Sequence, residues 1–159
     1  MTNRTGEIRV FCNGEIYNHQ DLRQRLQHEH GIDVHSSSDA AVLPHLYECY
    51  GERFVELLNG MFAICVLDGR DQSCRLYRDR LGIKPLYVAI ARHAVVFGSE
   101  LKPIWRSGLV PAAIDESQVV PFLELFYAPG RRTLARGIER VMPGEFLVLH
   151  RAESPDRKS

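Results

Sequence analysis

The run Met61–Leu67 (MFAICVL) is apolar at every position, so a strand there presents hydrophobic side chains to both faces and needs cover on each. That requirement excludes a sheet with one solvated side at this point and calls for a layered domain. Asn59-Gly60 turns the chain into this strand. Asp68-Gly69-Arg70-Asp71 has hairpin chemistry leading to a returning strand over Cys74–Arg78. Leu86–Ala91 and Ala94–Phe97 read as a second hairpin around Arg92-His93, and Gly144–Leu149 as a last strand before a polar tail, 151–159.

Helical periodicity interleaves with these strands. In His19–His30, Leu22 and Leu26 recur at i,i+4 among charged residues and Gly31 follows, which predicts an amphipathic helix ending there. Ser36-Ser37-Ser38-Asp39 supplies capping groups for a helix reaching about Tyr50, although Pro44 predicts a kink or a late start. Phe54, Leu57 and Leu58 continue the helical face. Ser99 can cap a short helix over ELKPIW, leaving Glu100 and Lys102 on solvent, and Asp115 or Ser117 another to about Phe126. Ile8–Cys12 is a short β-rich run expected to stop at the Asn13-Gly14 turn, and Ile32–His35 a brief strand. The combination gives an α+β layered sandwich. Its first strand starts only seven residues from Met1, so any neighbours it needs come from elsewhere in the chain or are missing.

Length and charge narrow the class of function. With 159 residues, one domain is the default. Lys+Arg and Asp+Glu are both 20, which argues against a nucleic-acid or anionic-membrane binder dominated by charge. No apolar run approaches the ~20 residues of a spanning helix, and Met1–Arg9 has no apolar core for a signal peptide, so a cytoplasmic address is expected. The four cysteines, at 12, 49, 65 and 74, form no CxxC, and no histidine sits at zinc-ligand spacing from any of them, so no metal site is expected; Cys65 reads as core.

Three stretches carry chemistry. In Val10–His19 (VFCNGEIYNH) an amide, a glycine and a carboxylate occupy the consecutive positions Asn13, Gly14 and Glu15. A side-chain amide and a backbone N–H converging on one point can stabilise an oxyanion, worth roughly 2.7–4 kcal/mol per donor in acyl transfer. The plainer reading is an Asn-Gly turn. Asp39, at a loop-to-helix junction, can hold a ligand ammonium or simply cap the helix. In Arg78–Tyr87 (RDRLGIKPLY), Arg78, Asp79 and Arg80 read as a salt-bridge network in a packed turn, with Asp79 structural rather than catalytic.

The motifs NGEIYNH (13–19), SSD (37–39), LYECYGERFVELLNGMFAICVLD from Leu46, RDRLGIKPLY and FGSELK together resemble the class II glutamine amidotransferase domain of glutamine-hydrolysing asparagine synthetases, in order and spacing, from about residue 8 to 150. The resemblance implies a partial amidotransferase domain over 1–150, with an Ntn-hydrolase-like αββα sandwich incomplete at its N-terminus. It implies that Asn13 and Gly14 form the oxyanion hole, and that Asn13, Gly14, Glu15 and Asp39 bind L-glutamine, the two acids holding its amino end. Family members usually carry Thr-Glu after Ser-Asp, whereas this chain has Ala40-Ala41. They also begin Met-Cys-Gly and run on the order of sixty residues, including an Arg for the substrate carboxylate, before this motif. From that departure the chain alone is expected to be inactive, lacking the N-terminal Cys nucleophile, with an incomplete glutamine site.

ATP and magnesium belong to the family's synthetase domain, which forms asparagine from aspartate; no cofactor is expected in this chain. Lipopolysaccharide-modifying and β-lactam-forming enzymes with similar front ends are the alternative, as is a non-catalytic module that self-associates through an open sheet edge. A substitute nucleophile is not expected. Thr2 would lie roughly 35 Å from the oxyanion donor if the intervening segment is extended, and alternation sends Cys12 to the face opposite Asn13.

Overall fold

The computed structural model describes residues 1–92, 94–150 and a strand at 156–158. The chain divides into two compact units, one of Met1–Lys84 with the segment returning from Gly144, the other Pro85–Pro143.

The first unit is built on an antiparallel sheet. Its strands are β1 (Ile8–Ile16), β2 (Gly60–Asp68), β3 (Ser73–Arg78), β7 (Phe146–His150) and β8 (Asp156–Lys158), adjacent in that order. Helices α1 (His19–His30) and α2 (Leu43–Tyr50) lie between β1 and β2 in sequence. Their apolar stripes, including Leu22, Leu26, Leu43 and Leu46, pack with Ile8, Val10, Ile16, Phe62, Ile64 and Val66 of the sheet. β2 is buried continuously from Phe62 to Val66, with Cys65 5% exposed, but the expected burial does not reach the ends of the run, where Met61 is half-buried and Leu67 exposed. Helix α1 has the expected bounds and ends at Gly31 with φ +64°. The segment before α2 is a 3₁₀ turn over Asp39–Val42, and the α-helix starts late with Pro44 in its first turn, where the missing N–H costs nothing.

In the second unit, β4 (Tyr87–Ala91) lies between β5 (Ala94–Gly98) and the two-residue β6 (Glu139–Arg140). Helix α3 (Leu101–Arg106) sends Ile104 into a core with Ala89, Val110, Ala135 and Ile138. Glu100 and Lys102 are exposed. Asp115 caps the 3₁₀ turn Glu116–Gln118 by accepting the Ser117 N–H at 3.1 Å, and α4 (Val119–Leu125) follows.

Several expectations change. Asn13-Gly14 is not a turn: β1 runs through it to Ile16. Ile32–His35 forms no strand, because the Ile32 N–H goes back to Leu26 O and the Val34 carbonyl is taken by Arg23. The sequence also gave no sign that Met1–Asn3 folds back on β1. It does so through a turn at Asn3–Gly6, and Thr2 bridges to Arg9. Of the polar tail, residues 151–155 and 159 lie outside the described residues, as does His93 of the hairpin, while Asp156–Lys158 pairs with β7. No helix among the described residues is long and apolar enough to cross a membrane.

Candidate functional site

β1 is the edge of its sheet, and the direction of each backbone group along it can be fixed. Glu7 O accepts the Gly69 N–H and the Tyr17 N–H donates to Asn59 O, so odd-numbered residues bond towards β2. Ile8 O accepts from Asn3, Val10 exchanges both its bonds with Met1, and the Ile16 N–H donates to Asp39 Oδ2 at 2.7 Å, so even-numbered residues face the edge. By this alternation the N–H and C=O of Cys12 and Gly14 point to the edge, between the Met1–Val10 pairing and the Asp39–Ile16 bond.

Glycine at position 14 is a steric requirement. A Cβ there would stand 2.0 Å from Met61 O and 2.7 Å from Phe62 Cα, and the same holds for Gly60, whose Cβ would meet Glu15 O at 2.2 Å. Gly14 pairs with Phe62 in register, and Phe62 turns its own N–H and C=O away, to Asp79. Gly14 and Phe62 are therefore a non-hydrogen-bonded pair, the closer kind in an antiparallel ladder, and the missing side chains of Gly14 and Gly60 let the strands approach closer still. The result is a closely approached strand end whose Gly14 N–H faces the edge.

Asn13 and Glu15 are exposed and share the face of β1 that also carries Phe11. Asp39, half-buried, reaches the strand from the 3₁₀ turn. It does not cap the helix: its carboxylate crosses to β1, where Oδ2 accepts the Ile16 N–H two residues along the strand from Gly14. The structure thus places Asn13, Gly14 and Glu15 consecutively on β1 and joins Asp39 to them at Ile16.

Two positioning residues carry no local signal in the sequence. Arg23 of α1 donates from Nη1 to Val34 O and from Nη2 to Ser38 O, both at 2.6 Å, and so fixes the segment leading to Asp39. Asn18 donates to Leu57 O and accepts the Asn59 N–H, each at 2.9 Å, tying the end of the NGEIYN motif to the entry of β2. Neither pairing is visible without the fold, since the partners lie 11–41 residues away.

Asp79 is not part of a salt-bridge network as expected. Its carboxylate, 2% exposed, accepts backbone N–H groups from Phe62, Leu81, Ile83 and Lys84 at 3.0–3.3 Å. Burial acts to raise its pKa, but these donors outweigh it and hold the carboxyl below the ordinary range. Arg78 likewise gives its guanidinium to the carbonyls of Lys84 and Gly82.

Neither substitute nucleophile fits. Thr2 is nearer to Asn13 than an extended chain allows, because of the fold-back. Opposite Arg9 it still stands four residues along the strand, about 13 Å at ~3.3 Å per residue, and attack needs about 3–3.5 Å. Cys12 packs against the core on the other face from Asn13; burial, followed by the Asp39 charge, pushes its thiol up to about 11. A cleft of about 490 Å³ lies between Met1–Arg4 and Asp33–Ser36 with Ala41 and His45 beneath, and none of the four site residues lines it. The site is an open strand margin. No cluster of three or more metal-ligating side chains occurs among the described residues.

This arrangement, a constricted strand end with an outward backbone N–H beside a carboxylate, falls within a known family. A model of the family described as "Glutamine amidotransferase domain" matches residues 1–158, and the chain belongs to that family. The likeness extends to asparagine synthetase [glutamine-hydrolyzing] 3 of Arabidopsis thaliana, 45% identical over 105 residues, 65% of this chain and 18% of that protein. Asparagine synthetase [glutamine-hydrolyzing] 2 of Bacillus subtilis is 42% identical over 103 residues, again 65% of this chain but 13% of the relative. The chain therefore spans less than a fifth of the length of these relatives.

Two solved structures share the fold. The allosteric regulatory enzyme of purine biosynthesis superposes with a TM-score of 0.69 at 21% identity, covering 95% of this chain and 28% of that one. Glutamine phosphoribosylpyrophosphate amidotransferase from B. subtilis gives 0.64 at 20%, covering 99% and 30%. The fold is α+β and is the one these two structures share.

Proposed function

We propose that the β1 margin binds L-glutamine, with its side-chain carbonyl at the Gly14 N–H and the Asn13 amide and its α-ammonium at Asp39 Oδ1. One observation carries this reading. The Gly14 N–H and the Ile16 N–H that anchors Asp39 both face the edge, two residues and about 6.5–7 Å apart. In extended glutamine the amide oxygen and the α-nitrogen are separated by about 5–6 Å on standard bond lengths, so a single molecule spans both groups. A donor at one end and a carboxylate at the other also fix its direction. Glu15 adds negative charge on the neighbouring face of the strand and favours an ammonium over a neutral ligand.

The likeness to asparagine synthetases supports a reaction in which glutamine amide nitrogen is released as ammonia for transfer to aspartate, the ATP and magnesium chemistry being carried by parts of those longer proteins outside the matched region. In that reaction Asn13 and Gly14 hold the developing oxyanion, and the attacking group is none of the described side chains of this chain considered above. Isothermal titration calorimetry tests the binding step. L-glutamine should bind at one site and Asp39→Asn should weaken it at least tenfold. Equal affinity in the variant would overturn the assignment of Asp39.

The short open edge at Cys12–Gly14 also favours a second reading, self-association by strand addition. Met1–Asn3 already covers Ile8–Val10, so only the far half of β1 is offered. A concentration-independent monomer in analytical ultracentrifugation would exclude it.

A further inference from the structure

Cys65 and Cys74 are the one pair of cysteines whose contact the fold creates. Cys65 lies on β2 and Cys74 on β3, and in register Cys65 faces Leu76 while Cys74 faces Leu67, so the two are diagonal neighbours on one face of the sheet. Their sulfurs are 3.8 Å apart, in hydrogen-bond contact and not bonded to each other. Cys65 is buried and Cys74 half-buried, so the second is the more accessible to a reagent from solvent. We propose that this pair is a reversible dithiol–disulfide site, oxidised by a small hydroperoxide that reacts first at Cys74 and is resolved by Cys65.

The electron count closes with hydrogen peroxide as oxidant. The Cys74 thiolate attacks one peroxide oxygen, the O–O bond breaks, and the released hydroxide takes a proton to become water, leaving a sulfenic acid. The Cys65 sulfur then attacks the Cys74 sulfur, and the sulfenic hydroxyl leaves with the Cys65 proton as a second water. Two thiols have lost two electrons and peroxide has gained them. The division of labour agrees with the titration of the pair: the hydrogen bond from Cys65, then the Arg75 charge, lowers the Cys74 pKa against its burial, while the same bond and burial raise that of Cys65. The thiolate is thus favoured on the more accessible sulfur, where a peroxide-sensing cysteine needs it.

Diagonal cross-strand residues have Cα atoms about 7–8 Å apart, beyond the usual 4.4–6.8 Å of a disulfide. Closing the bridge therefore draws β2 and β3 together and yields a bond that excess monothiol reopens. Cys65 faces Phe11 across the β1–β2 ladder, and the next same-face pair is Asn13 with Ala63, so the strain falls beside the candidate site.

The test uses the unmodified chain. After brief exposure to a small excess of hydrogen peroxide, maleimide counting should fall from four thiols to two, peptide mapping without reductant should find Cys65 linked to Cys74, and glutathione should restore all four. In Cys65→Ser, Cys74 should instead accumulate as sulfenic acid, trapped by dimedone. Sulfinic acid at Cys74 without the cross-link, or linkage through Cys12 or Cys49, would overturn the proposal. Because the wild-type map needs no variant to fold, it decides the matter by itself.

Discussion

Two carboxylates in this fold collect backbone N–H groups, and they are used to very different extents. Asp79 accepts four and is 2% exposed, so its oxygens are saturated and it organises the turn after β3. Asp39 accepts one N–H among the described residues, from Ile16, and is half-buried at an open margin. Both lie in motifs that carry the family likeness, yet one is spent on the fold and the other has capacity left for a ligand. Counting the donors already on a carboxylate separates the two roles where residue type does not.

The largest effect should come from Asp79→Ala. It leaves four backbone donors without their acceptor, the Phe62 N–H fully buried and the other three partly so, and should lower unfolding free energy by about 3–5 kcal/mol, read by urea denaturation. Gly14→Ala comes next. Its methyl group meets Met61 O and forces β1 from β2, costing about 1–3 kcal/mol and removing glutamine binding together with it. Arg23→Ala loosens the segment before Asp39, and should cost less stability than binding in a calorimetric comparison. Asn13→Ala should lower stability less than any of these, because the side chain is exposed. Any larger loss would show that Asn13 is structural, and would erase the contrast between the two regions.

Acid unfolding sharpens the same comparison. The Asp79 pKa is depressed in the native state, so its contribution is fully present above the unfolded value of about 3.9 and is lost as pH falls through the lower native value. Asp79→Asn should flatten the fall in stability below about pH 4. An unchanged slope in Asp79→Asn would show that the backbone donors do not hold the native carboxyl down.

Much of the architecture was legible where periodicity is strong. MFAICVL could be nothing but a doubly covered strand, His19–His30 could be placed to its ends, and Pro44 announced the late start of α2. The misreadings have a common physical cause. Asn13-Gly14 reads as a turn in the sequence because glycine tolerates positive φ, but the same lack of a Cβ permits the close approach of Met61, and local sequence does not tell these uses apart. Helix capping was a sound local expectation for Asp39; a donor 23 residues away won instead. The same non-locality hid Arg23, Asn18 and the return of Met1–Asn3 along β1. The motif groups the candidate residues in the sequence, but their division into edge-facing backbone and exposed side chains comes only with the strand register.

The central claim is that one glutamine molecule bridges the Gly14 N–H and the Asp39 carboxylate. Backbone amide NMR can follow both ends at once during titration with L-glutamine and with its analogue lacking the α-amino group. The account predicts that the Gly14 amide resonance shifts saturably with both ligands, while the Ile16 amide, bonded to Asp39, shifts only with L-glutamine. Equal response of Ile16 to both ligands, or shifts confined to residues away from β1, would contradict it.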